Sequence, residues 1–328
     1  MFEVRRFLQA RKWMKSNESF LKTWHAHVGY KLNLFRLFEA GERVHQIAER
    51  YNWDEELLHN WVEVGLQVRH LEKTLTGKIK SKKKLVRFAT VDSEESAGIL
   101  LREMMELHIP TLLEYPDLIQ NRHKRVYRDE AFGQVVAETS TLLEKAALSP
   151  MMKLIAQEKP ASVLDLGCGY GGYLKKVNES YKGTSLTGVE KNPDVYGHAR
   201  CSLPEHVLLY NEDLETFLQG GHNPVDLVMV HNLLYYFPVS SRRRLMQQIA
   251  GITNAGGKIT IITPVKGEST GGMFTSAFNA FMTAHDNLYP LPDMAELRGL
   301  AKDAGLDFTS VKPIIREGGW FLVILTKK

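Results

Sequence analysis

Val163-Leu164-Asp165-Leu166-Gly167-Cys168-Gly169-Tyr170-Gly171-Gly172 is an apolar run that passes through a carboxylate into a glycine-rich turn and then into a helical pattern. Glycines at a strand-to-helix turn let a ligand approach the backbone closely, and Gly167, Gly169 and Gly172 satisfy the G-x-G-x-x-G spacing of nucleotide-binding turns. The acid in front of them narrows the choice of ligand. A pyrophosphate rests on backbone N–H groups at the start of the helix and is repelled by a carboxylate two residues upstream, whereas a ligand carrying sulfonium and ammonium groups is attracted to it.

Outward from this turn, strand and helix patterns alternate. Ser162 to Leu166 reads as a strand, Tyr173 to Ser180 as a helix, Ser185 to Glu190 as a strand and Pro193 to Cys201 as a helix. Val207 to Tyr210, a short helix from Leu214 to Leu218, the strand Asp226 to Val230 and the helix Ser240 to Asn254 follow, with Gly256-Gly257 read as the stop of that helix. Lys258 to Thr263 is the next strand and Met294 to Ala304 the next helix. Phe308 to Ile315 and Trp320 to Thr326, separated only by Arg316 to Gly319, form a closing hairpin whose last strand is antiparallel to its neighbour. Alternating βα units specify a parallel, doubly wound α/β sheet with right-handed crossovers.

Carboxylates recur at the strand ends. Glu190 closes the second strand, where an acid accepts both hydroxyls of a ribose, a position that suits NAD equally well. Asp213 follows the third strand in Asn211-Glu212-Asp213-Leu214. Asp165 favours S-adenosylmethionine over a dinucleotide. The series resembles the seven-stranded, Rossmann-like class I methyltransferase fold, and with the N-terminal half it is similar to small-molecule O-methyltransferases that carry a winged-helix dimerisation domain. The resemblance implies that Asp165, Gly167, Gly169 and Gly172 hold the amino-acid part of the cofactor, that Glu190 holds the ribose, and that Asp213 holds the adenine amino group while Leu214 covers the ring.

The fourth strand runs into His231-Asn232-Leu233-Leu234-Tyr235-Tyr236-Phe237-Pro238. Ligands of open α/β sheets sit beyond the carboxyl ends of the strands, so His231 and Asn232 are expected at the rim of the cofactor pocket. By the resemblance, Tyr235 and Tyr236 form a wall of the acceptor pocket. Methyl transfer is an in-line displacement that depends on alignment, and a general base is needed only for a protonated acceptor. The resemblance places a catalytic histidine after the fifth strand, where His285 is the only histidine and stands beside Asp286; His231 is the other histidine candidate. Gly271, Gly272, Met273, Phe274, Phe278, Phe281 and Met282 read as a mobile apolar flap over a partly hydrophobic acceptor, with Met273, Phe274 and Phe278 as its contacts.

The chain is expected to divide near Ser149-Pro150, into residues 1–149 and 150–328. The N-terminal part is helical by periodicity: an amphipathic opening helix, then short helices up to Phe38, from Val44 to Tyr51, and from Leu57 to Leu66 with Asp54 as N-cap. Thr74 to Thr90 reads as two short strands turning at Gly77, which completes a winged-helix-like pattern and predicts a homodimerisation domain. The hairpin carries Lys78, Lys80, Lys82, Lys83, Lys84 and Arg87, a charge run that suits nucleic-acid phosphates or a solvated turn. Asp54, Glu55, Glu56 and Glu63 make the adjoining helix acidic, which disfavours nucleic acid; a non-catalytic protein binding nucleic acid through this hairpin is the alternative reading. Arg122, His123, Lys124, Arg125 and Arg128 read as a charged helix face.

Composition fits this picture. The 328 residues, 44% hydrophobic and 24% charged, are enough for about two globular domains, and a net charge of +4 is too small to argue for nucleic acid. Cys168 and Cys201 are the only cysteines and lack metal-ligand spacing, so no metal site is expected and a reducing, cytoplasmic compartment is. No apolar run is long enough to cross a bilayer.

Overall fold

The computed structural model describes residues 2–328, apart from the side chains of residues 129 and 130. The chain forms two compact units, Met1–Ile109 and Pro110–Lys328. This division falls about forty residues before Ser149-Pro150, which lies inside one continuous helix, Asp129–Glu158.

The first unit contains α1 (Phe2–Lys31), α2 (Leu34–Leu37), α3 (Val44–Tyr51), α4 (Glu55–Gln67), β1 (Leu71–Lys73), β2 (Ile79–Ser81), α5 (Lys83–Phe88) and α6 (Gly98–Glu103), the last continuing into a π turn, Met104–His108. Its core packs Phe35, Phe38, Ile47, Leu58, Trp61 and Val62 against Leu71 and Ile79 of the hairpin. Asp54 caps α4 by accepting from the Leu57 amide at 2.8 Å. The hairpin turns at Gly77, but it starts and ends earlier than its sequence pattern indicates, and Lys83–Phe88 is a helix and not a strand. Burial explains the correction: Leu85 and Val86 face inward and so do Ala89 and Thr90, a spacing of three to four residues that only a helix supplies. Two members of the basic run are engaged within this unit, Lys82 with Glu72 and Arg87 with Glu95.

The second unit opens with α7 (Ile109–Leu113), α8 (Tyr115–Asn121) and α9 (Asp129–Glu158). Then β3 (Ser162–Leu166), α10 (Gly172–Ser180), β4 (Ser185–Val189), α11 (Pro193–Ser202), β5 (Leu208–Tyr210), α12 (Leu214–Gln219), β6 (Val225–His231) and α13 (Val239–Gly251) alternate as expected, with a 3₁₀ turn at Leu234–Tyr236. β7 (Thr253–Pro264), α14 (Gly272–Thr283), α15 (Met294–Asp303), β8 (Leu306–Ile315) and β9 (Trp320–Lys327) complete the unit. The seven strands lie in the order β5-β4-β3-β6-β7-β9-β8; β3 to β7 are parallel, and β9 runs antiparallel to both its neighbours. The sheet core is aliphatic, with Val228, Val230, Ile259, Ile261, Val323 and Leu325 fully or almost fully buried. Strand order reverses between β4 and β6 on either side of β3, which opens a crevice at their carboxyl ends.

Two local expectations are corrected in this unit. Gly256-Gly257 does not stop the preceding helix, which ends at Gly251; the pair lies inside β7, where the register against β6 shifts. The Gly271 to Met282 segment forms the helix α14. Arg122 to Arg128 is not a helix face but a connection running beside residues 284–287, with Arg125 and Asp286 backbones bonded at 2.8 Å and Asn287 holding both backbone groups of Tyr127 at 2.8 Å.

Candidate active site

One cleft gathers most of the polar candidates at the carboxyl ends of the parallel strands. Asp165, Gly167, Gly169, Glu190, Asp213, Leu214, His231, Asn232 and Tyr236 all line it. The loop after β3 is fastened to the end of β4: the Gly167 and Cys168 amides both donate to the Val189 carbonyl at 2.9 Å. Glu190 completes the attachment, its Oε2 accepting from the Gly169 amide at 3.1 Å and its Oε1 from the Asn192 amide at 2.9 Å. Gly167 and Gly169 have φ of 71° and 55°, a left-handed backbone that glycine adopts without a Cβ penalty.

The electrostatics of the cleft are lopsided. Asp165 is 2% exposed, and among the described residues its carboxylate has no hydrogen-bond or ion-pair partner. Burial, followed by repulsion from Glu144 and Glu190, raises its carboxyl well above the ordinary carboxylate range. Glu144, which sequence reasoning did not single out, projects from α9 into the same cleft, and burial lifts it to about 7. Lys191 is the only lysine or arginine among the described lining residues, and its Nζ lies 5.8 Å from the centre of the Tyr236 ring. Buried acids that find no cation within the protein suit a cationic ligand.

His231 ends β6. It is 9% exposed, its Nε2 lies 3.0 Å from Thr260 Oγ1, its ring meets Tyr173 edge-on at 4.8 Å, and among the described residues its Nδ1 has no partner. Burial lowers it to about 3, so the imidazole is neutral at physiological pH. Asn232 takes a left-handed conformation, φ 52°, with its Oδ1 accepting from Trp320 Nε1 of β9 at 2.8 Å. Asp213 caps α12, accepting from the Glu215 amide at 2.9 Å, and Leu214 behind it is buried.

The remaining candidates stand elsewhere. Gly172 does not line the cleft but starts α10, where a Cβ would collide with the Glu144 carboxylate. Tyr235 does not line the cleft but packs against the Tyr236 ring at 5.1 Å and edge-on against Phe278 at 5.7 Å, while Phe274 and Phe278 both pack on Trp320. Met273 is 92% exposed. His285 is buried at the end of α14 with its Nδ1 2.8 Å from the Phe281 carbonyl, and it does not line the cleft. The helix-borne lining was missed although it has a sequence signal: Gly133, Ala137, Ser140 and Glu144 recur at spacings of three to four, a strip of small residues ending in an acid. No group of three or more metal-ligating side chains occurs among the described residues.

Residues 163–257, which span the loop and all the strand-end acids, match the family model described as a methyltransferase domain. Solved structures align over nearly the whole chain at low identity. An O-methyltransferase family protein from Burkholderia thailandensis is 18% identical, with 97% of this chain and 98% of that chain covered and a TM-score of 0.78. Human N-acetylserotonin methyltransferase, solved with S-adenosylmethionine, is 17% identical, with coverages of 97% and 98% and a TM-score of 0.78. The N,N-8-amino-8-demethyl-D-riboflavin dimethyltransferase RosA from Streptomyces davawensis is 17% identical, with coverages of 97% and 99% and a TM-score of 0.72. No curated protein matches the chain by sequence. The chain carries a methyltransferase domain and has the fold of the class I S-adenosylmethionine-dependent methyltransferases that possess an N-terminal helical region.

Proposed function

We propose that this protein transfers the methyl group of S-adenosylmethionine to a small-molecule acceptor, with a hydroxyl favoured over nitrogen or carbon. The observation that carries the reading is Asp165, a buried carboxylate that has no hydrogen-bond or ion-pair partner among the described residues and stands on the wall of the cleft. Asp165 and the Gly167–Gly169 backbone would hold the amino-acid part, Glu190 at the end of β4 the ribose hydroxyls, and Asp213 with Leu214 the adenine.

The cofactor supplies an electrophilic methyl carbon on a sulfonium. The protein's part is to orient the acceptor oxygen and remove its proton. With Nε2–H donating to Thr260, the neutral His231 imidazole keeps a lone pair on Nδ1, which has no partner among the described residues, and would take up the hydroxyl proton as the O–C bond forms and the sulfonium's C–S bond breaks. We assign the base role to His231 in preference to His285, whose Nδ1 bonds to the Phe281 carbonyl outside the cleft lining. Tyr236 would wall the acceptor side, with the Tyr235 ring packed against it and the Phe278 and Phe274 rings of α14 stacked behind Tyr235. The same reading includes a homodimer built through the winged-helix-like N-terminal unit and a cytoplasmic location; among the described residues no helix is long and apolar enough to cross a membrane.

Calorimetric titration with S-adenosylhomocysteine tests the assignment. Wild-type protein is expected to bind it and to ignore NAD, and Asp165→Asn to bind on the order of 100-fold more weakly, the cost of removing one member of a desolvated charge pair. Equal affinity in the variant would overturn the site assignment, and no binding to the wild type would overturn the function.

A further inference from the structure

We infer that Glu144 is a second carboxylate for the ammonium group of the cofactor's amino-acid part, gripping it opposite Asp165. The inference rests on the proposed cofactor and adds a residue from α9, outside the strand ends that identify the domain.

Three observations place Glu144 in that role. It lines the cleft at the end of the strip Gly133, Ala137 and Ser140 on α9, with the apolar Val136 and Leu143 beside it and no other charged group from that helix in the described lining. Its carboxylate lies against the first turn of α10 at Gly172, where any Cβ would strike it, so the absence of a side chain at that position is what leaves it room beside the loop after β3. Among the described residues it has no hydrogen-bond or ion-pair partner, and the charged neighbour that feels it is Asp165, buried and equally without a partner.

Two like charges facing each other in a desolvated cleft repel unless a cation lies between them. An ammonium group suits that position because its three N–H donors can serve two carboxylates at once, whereas a sulfonium has no donor to offer. Elsewhere the fold supplies its acids with cations: Glu296, for instance, receives the wholly buried Arg242 at 2.7 Å. The unmatched pair in the cleft therefore has the composition of a site whose counter-charge arrives with the ligand.

Binding should then displace a proton. The groups that face Glu144 are Asp165 and Cys168 on β3 and its loop, Tyr173 on α10, Glu190 and Lys191 after β4, Glu212 and Asp213 after β5, and His231 at the end of β6. Burial pushes the Cys168 thiol and the Tyr173 phenol up and holds His231 down at about 3. That leaves Glu144, lifted to about 7 by burial, to take up and release a proton near neutrality beside Asp165, which burial also raises well above the ordinary carboxylate range. Below that pH the pair must give up a proton before it can hold an ammonium, so affinity falls as pH falls.

The test is calorimetry with S-adenosylhomocysteine and with its deaminated analogue, which keeps the adenosine, sulfur and carboxylate, on wild-type, Glu144→Gln and Glu144→Asp proteins between about pH 5.5 and 8.5. Wild-type affinity for S-adenosylhomocysteine should drop by up to about tenfold per pH unit below 7. At pH 8, Glu144→Gln should bind it about tenfold more weakly and with a flatter pH profile, while Glu144→Asp retains the slope. The deaminated analogue should bind wild type and Glu144→Gln equally. An unchanged affinity and pH profile in Glu144→Gln would overturn the inference while leaving the cofactor assignment intact, as would an equal loss for the deaminated analogue. Failure of S-adenosylhomocysteine to bind the wild type at any pH would overturn both.

Discussion

Glu106 and Glu144 are both glutamates drawn partly out of water, and the two units treat them in opposite ways. In the N-terminal unit, burial pushes the Glu106 carboxyl up, but hydrogen bonds from Lys31, His27 and Arg102 outweigh it and hold the group down at about 2. In the cleft of the C-terminal unit no donor among the described residues answers Glu144, and burial carries it to about 7. The contrast between an acid with three partners and one with none among the described residues is what the proposed ammonium site for Glu144 rests on. Partnered acids serve stability, and unpartnered ones serve a ligand.

That distinction can be broken experimentally. The largest expected effect is on turnover. His231→Gln keeps a polar contact to Thr260 but cannot take up a proton, so turnover of any hydroxyl acceptor should fall on the order of 100-fold, with the melting temperature nearly unchanged. Turnover at the wild-type rate would remove His231 from proton transfer. The converse is expected of Glu106→Gln: activity is retained while stability falls by about 1–2 kcal/mol at pH 7, read by thermal melting. Because the Glu106 carboxyl lies below its ordinary value, its contribution is present above about pH 4.5 and is lost as pH falls through about 2. A variant that melts with the wild type would show that partnership alone does not mark a structural acid.

The smallest effect has the opposite sign. Glu144 sits above its ordinary value in the folded chain, so the ligand-free protein holds an extra proton between about pH 4.5 and 7 and loses stability as pH rises through that window. Ligand-free Glu144→Gln should therefore melt above the wild type at pH 8, by on the order of 1 kcal/mol given the solvent in the cleft, and alongside it at pH 4.5. Loss of stability at pH 8 would mean that Glu144 has a partner in solution and would erase the contrast with Glu106.

What could be read from the sequence follows from what fixes each residue. Asp165, Glu190 and Asp213 were legible because chain order and βα alternation determine where strands end, and strand ends determine where ligands sit. The aromatic wall was only half legible. Tyr235 and Tyr236 are adjacent in a 3₁₀ turn, whose three residues per turn point neighbours in different directions, and only Tyr236 reaches the cleft. Asp286 seemed to mark His285 as a base, yet the histidine bonds four residues back along α14 to Phe281, a contact set by helix geometry. Glu144 was hidden because a single acid on a long helix looks like a solvated face until the packing of α10 shows where it points. Lys83–Phe88 misled because Leu85, Val86 and Phe88 fit either period, and the buried positions settle it only in three dimensions.

The place of β9 bears on how the molecule is made. It is translated after every other strand of the sheet, yet it lies inside the sheet between β7 and β8, and it carries the Trp320 that fixes Asn232 at the cleft. β8 pairs with nothing but β9, so during synthesis it waits unzipped, and the edge of β7 stays open, until the last strand clears the ribosome. A nascent chain stopped before Trp320 would hold all of its glycine loop and strand-end acids, and still lack a finished ligand site and a closed sheet.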